Sequence, residues 1–70
     1  MEIRWEDGFS IAVRIEQGEA LISANPEGLR SLAGQLLALA GERPGAHIHY
    51  DSSNSLEEGS APLIIERVDV

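Results

Sequence analysis

The chain has no cysteine and no lysine. Without cysteine there is neither a disulfide framework nor a zinc-thiolate site. Without lysine, all positive charge rests on Arg4, Arg14, Arg30, Arg43 and Arg67, against twelve Asp and Glu, for a formal net charge of −7. So few bases exclude nucleic acid and anionic membranes as natural partners and favour a basic protein. No apolar run approaches the roughly 18 residues of a membrane span. No charged-then-apolar stretch of the signal-peptide kind opens the sequence. The expected compartment is the cytoplasm. Seventy residues suit one domain, residues 1–70, which buries roughly 60% of its unfolded surface and has little room for a deep cleft.

What is present reads as alternating strands around one helix. Residues 2–6 alternate, and Asp7-Gly8 is a turn signal of the tight-hairpin kind. Phe9 to Glu16 alternates again, with Phe9, Ile11, Val13 and Ile15 on one face. Gln17-Gly18 is the next turn, and residues 19–23 form a third strand. Asn25 is a suitable N-cap, Pro26 suits the first helical position, and Glu27 favours the positive helix end. At 100° per residue, Leu29, Leu32, Ala33, Leu36, Leu37, Leu39 and Ala40 fall in one arc that predicts the buried helix face. Gly41 is the expected C-cap, and Pro44 stops continuation. Residues 46–51 and 62–68 are the fourth and fifth strands. Leu63-Ile64-Ile65, apolar on both faces, predicts a central position. The expected class is α+β: a two-layer sandwich, one helix on a mostly antiparallel sheet of about five strands, in the order β-β-β-α-β-β.

The segment His47-Ile48-His49-Tyr50-Asp51 holds both histidines. On a strand, His47, His49 and Asp51 share one face, and Ile48 and Tyr50 share the other. With Arg14 and Glu16 they predict an open polar sheet face. The stripe runs into the acidic loop 52–61, longer than the roughly 2–5 residues usual for a hairpin. Ser55-Leu56-Glu57-Glu58 fits a capping box, which predicts one helical turn ended by Gly59. Leu56 would anchor it, and Glu57 and Glu58 would project beside Asp51.

Two histidines at i and i+2 can reach one cation, and Asp51 could add an oxygen. A small metal-binding protein or metal-dependent enzyme on this His-x-His-x-Asp strand is therefore the alternative reading. It lacks a third histidine and would need Glu57 or Glu58 to close. Acid–base work by His49 and Asp51 meets a separation of about 7 Å between side chains two apart on a strand. Nothing in the sequence equips Ser55 or Ser60 as a nucleophile. Gly34, with Ser31 and Ala38, makes a strip of small residues along the helix. That strip or the open sheet face would also suit a homodimer interface.

With these residues in view the chain resembles the immunity protein 32 family of bacterial polymorphic toxin systems. Three stretches carry the resemblance: residues 24–33 (Ala-Asn-Pro-Glu-Gly-Leu-Arg-Ser-Leu-Ala), His47 to Asp51, and Asn54 to Ser60 running into Leu63-Ile64-Ile65-Glu66. Their order and spacing cover about residues 20–68. The resemblance implies a protein that binds and neutralises a cognate toxin, not an enzyme, and it calls for no metal or cofactor. The expected contact residues, inferred from the stripe and the loop, are His47, His49, Asp51, Asn54, Ser55, Glu57 and Glu58.

Overall fold

The computed structural model describes residues 1–70. Four strands flank one helix: β1 (Ile11–Glu16), β2 (Glu19–Ala24), α1 (Pro26–Ala40), β3 (His47–Tyr50) and β4 (Leu63–Glu66). β1 pairs with β2 and β3 with β4, both antiparallel, as two separate two-stranded sheets. The class is α+β as expected, but the single five-stranded sheet is not formed.

The missing strand is the N-terminal segment. Its turn forms where expected, with the Phe9 N–H donating to the Glu6 carbonyl at 3.2 Å. The flanking residues do not pair across it. Residues 2–6 instead lie along α1 as an extended arm. The Glu6 N–H donates to the Ser31 hydroxyl oxygen at 2.9 Å, and Gln35 Nε2 donates to the Arg4 carbonyl at 2.9 Å. Trp5 stacks on Phe9 with ring centres 4.4 Å apart and meets Tyr50 edge-on at 6.2 Å. Side-chain amide and hydroxyl groups of the helix thus replace a sheet ladder as the arm's partners.

The first hairpin closes through Gln17 and Gly18, both with positive φ (52° and 80°), as a type I′ turn requires. Its register opposes Val13 to Ile22 and Ile11 to Ala24. Asn25 then caps α1: its Oδ1 accepts from the Gly28 N–H at 2.8 Å and also from the Ser10 N–H at 3.0 Å. Gly28 lies so close to β1 that a Cβ there would stand 2.7 Å from the Ser10 carbonyl oxygen. Only glycine lets the helix start this near the sheet.

The core comprises Ile11, Val13, Leu32, Leu39, Ile48, Tyr50 and Leu56. Leu56 is the loop anchor that the sequence predicted. The helix, however, is rotated so that only Leu32 and Leu39 of its leucine arc are buried. Its buried residues are Gly28, Ser31, Leu32, Gln35 and Leu39. Leu29, Leu36 and Leu37 remain 54%, 45% and 77% exposed. The reason is that Ser31 and Gln35 hold the arm and Tyr50, and Gly28 must face β1. Ile15, on the same strand face as Ile11 and Val13, is 63% exposed because α1 packs against the other end of β1, at Ser10 and Ile11. Ile64 is 58% exposed, and β4 pairs only with β3, so β4 is not central.

Candidate functional site: the histidine strand and the acidic loop

β3 alternates as expected. Ile48 and Tyr50 are buried, while His47 and His49 are exposed. The two imidazoles meet edge to face with ring centres 4.9 Å apart. His47 Nδ1 lies 3.0 Å from the Gly45 carbonyl oxygen, which can only accept. In that contact Nδ1 is the donor. Across the ladder, His47 opposes Glu66 and His49 opposes Ile64. Opposed side chains share a sheet face, with Cβ atoms about 4.5–5.5 Å apart. Glu66 and Ile64 therefore belong to this surface, although the sequence reading did not select them. The signal was available in the period-2 alternation of residues 63–66; the pairing register was not.

Asp51 does not extend the stripe. The strand ends at Tyr50, and the Asp51 carboxylate turns back to accept from the Ser53 N–H at 2.8 Å. Its carbonyl accepts from the N–H groups of Asn54, Ser55 and Leu56. Asn54 closes this turn. Its Nδ2 donates to the His49 carbonyl at 3.1 Å, and its Oδ1 accepts from the Asp51 N–H and the Ser55 hydroxyl. The expected helical turn over residues 55–58 does not form: the Ser55 hydroxyl donates to Asn54 Oδ1, and the Glu57 N–H, which a Ser55 cap could have held, donates to the Ile11 carbonyl, while the Asp51 carbonyl closes an earlier turn over residues 51–56. Asp51 and Ser55 use their side chains within the loop, and Asn54 ties the loop to the end of β3.

The rest of the loop is fastened to the outer edge of β1. The Glu57 N–H donates to the Ile11 carbonyl at 2.8 Å, and the Ala61 N–H donates to the Val13 carbonyl at 2.8 Å. The Val13 N–H donates to the Ser60 hydroxyl oxygen at 3.1 Å. These bonds occupy an edge that β1 would otherwise leave unpaired. They hold Glu57 and Glu58 exposed at a defined place. No three His, Asp or Glu side chains converge closely enough to share one cation. The third ligand that the metal reading required from the loop does not reach the histidine pair.

A concavity lies between the arm and α1. It is a groove of about 480 Å³ bordered by Arg4, Trp5, Arg30, Gly34 and Gln35. The small-residue strip is its floor, so the chain's own arm already occupies part of it. Arg30 pairs with Glu6 at 2.8 Å. The hydrogen bond from Arg30 holds the Glu6 carboxyl below its ordinary value, and the same bond raises the Arg30 guanidinium.

The fold is a small α+β domain with an exposed histidine strand and an acidic loop held to β1. The model of the family described as Immunity protein 32 matches residues 19–68, and the chain belongs to that family. No curated protein and no solved structure matches it. The matched span includes β2, α1, both strands of the second hairpin and the whole loop. No helix is long and apolar enough to cross a membrane.

Proposed function

We propose that this immunity-family protein acts in the cytoplasm by binding a cognate toxin and blocking it, without catalysis of its own. The proposed contact surface is the histidine strand and the adjoining loop. His47, His49, Glu57 and Glu58 make the contacts, and Asp51, Asn54 and Ser55 hold the loop in place. The observation that carries this reading is the attachment of an exposed acidic loop to β1 by backbone hydrogen bonds at Ile11 and Val13. A loop already ordered in the free protein loses little conformational freedom on binding. The proposed partner presents a basic surface, because a net charge of −7 speeds encounter with such a surface and orients it. Carboxylates paired with partner arginines then serve as anchors.

Affinity capture from the producing cells, with mass spectrometry, tests the proposal. The unaltered chain should retain one basic protein encoded beside it, and Glu57→Lys with Glu58→Lys should lose that protein. Equal retention by the double variant would move the contact surface away from the loop.

A further inference from the structure

The rotation of α1 leaves a leucine–alanine face without a partner. Leu29, Ala33, Leu36 and Ala40 are all exposed and follow one another at spacings of four, three and four residues. On a helix that spacing makes a single seam. Leu37, the most exposed leucine of the helix, borders it. We infer that this face is the interface of a weak two-fold dimer, two copies of the chain packing their helices antiparallel through Leu29, Ala33, Leu36 and Ala40. The inference is independent of the toxin-binding proposal and uses a different surface.

Two observations select a second copy. The first is self-complementarity, which a two-fold interface demands. In one antiparallel register Leu29 opposes Ala40 of the other copy and Ala33 opposes Leu36. Both pairs have the same midpoint, between Gly34 and Gln35, so a single axis sets each leucine into the gap above an alanine. The second is charge. Glu27 is the only acid of the helix, and it lies on the other side of it from the seam. The nearest charged side chain is Arg30. Five of the acids, Glu16, Glu19, Glu57, Glu58 and Glu66, sit on the hairpins and the loop. The Glu6 carboxylate that Arg30 holds beside this face is already paired with it, so in a chain of net charge −7 this is a face where two copies meet without opposing unpaired carboxylates.

The exposed leucine surface is on the order of 350 Å² per copy, within the size at which an apolar patch marks an interaction site. A pair of such faces falls below the roughly 1,200 Å² of a stable specific interface. The dimer is therefore concentration-dependent. It tightens with salt, because salt screens the repulsion between two acidic chains. A contact between this acidic chain and a basic partner changes in the opposite sense.

Sedimentation of the intact chain over a wide concentration range should show the mass rising from 7.6 kDa toward twice that value, more readily in high salt. Leu36→Glu with Leu37→Glu should weaken association at least tenfold while leaving the circular dichroism unchanged, since both side chains are exposed. The absence of native cysteine allows a register test. Ala33→Cys with Leu36→Cys should oxidise to a covalent dimer. Leu29→Cys alone should not, because the two copies of residue 29 would stand about 16 Å apart along the helices. A monomer at every concentration, a dimer indifferent to the glutamates, or ready cross-linking of Leu29→Cys would each overturn the inference. So would toxin capture by the unaltered chain that the glutamate pair abolishes.

Discussion

The Tyr50 hydroxyl donates a buried hydrogen bond to Gln35 Oε1 at 2.7 Å. This bond ties the middle of the helix to the histidine strand. Gln35 passes the connection on, since its Nε2 holds the Arg4 carbonyl of the N-terminal arm. One amide thus fixes the rotation of α1, the docking of the arm and the inward face of β3. The leucines that face solvent do so because this amide faces the core.

Loss of either end of this bond should be expensive. Gln35→Leu strands the Tyr50 hydroxyl and the Arg4 carbonyl. The buried Tyr50 hydroxyl left unsatisfied costs about 1–3 kcal/mol. Urea unfolding of Gln35→Leu, Tyr50→Phe and the double variant should show a coupling between the two positions. Additive effects would mean that the bond does not join them.

The same tyrosine sets an alkaline limit. Burial pushes the Tyr50 phenol above its ordinary value. A group whose folded value is raised stabilises fully below its unfolded value and loses that contribution as pH rises through the folded one. Stability should therefore decline above about pH 10, where an unfolded tyrosine ionises. Tyr50→Phe should be less stable at neutral pH but flatter across this range, as followed by thermal unfolding at stepped pH.

Two helical glycines should respond with opposite signs. A Cβ at Gly28 would meet the Ser10 carbonyl oxygen at 2.7 Å and the Ile11 side chain at 2.9 Å. Gly28→Ala should cost about 1–3 kcal/mol through backbone displacement. A Cβ at Gly34 meets nothing within 4 Å. Gly34→Ala should stabilise by up to about 1 kcal/mol from helix propensity. Thermal melts of the two variants suffice to compare them.

Asn25 does more than cap the helix. Its Oδ1 serves two N–H groups, and its Nδ2 donates to the Gly8 carbonyl at 2.9 Å. Asn25→Ala should exceed the roughly 1 kcal/mol of an ordinary cap. It should also speed amide exchange at Ser10 as well as at Gly28. Exchange altered at Gly28 alone would confine the residue to capping.

Ser60→Ala tests the attachment of the loop. The Val13 N–H loses its hydroxyl acceptor, so hydrogen exchange at Val13 and Ala61 should accelerate together, with β2 unaffected. Unchanged exchange at Ala61 would show that the backbone bond to Val13 holds the loop unaided.

Local signals in the sequence hold in the fold where they involve neighbours. Asn25-Pro26 marks the helix start, Gln17-Gly18 the first hairpin, and the alternation over residues 47–50 the shared face of the two histidines. Each depends on interactions within a few residues, which spacing records directly. Leu56 as an anchor was legible because it is the single large apolar residue in a polar loop. Glu66 and Ile64 are not legible, because their place beside the histidines depends on a strand register with a partner fifteen or more residues away.

The sequence by itself determined the α+β class, the single helix, the acidic charge and which face of β3 carries its histidines. Tertiary structure decided which side of the helix is buried, where the N-terminal segment goes and what Asp51 does. Periodicity ranks helix faces by apolarity alone, whereas the folded helix must also satisfy Ser31, Gln35 and the carbonyls they meet. A buried polar group left unpaired costs as much as an exposed leucine forgoes. Three long-range contacts, to Glu6, to Arg4 and to Tyr50, therefore outweighed the leucine arc.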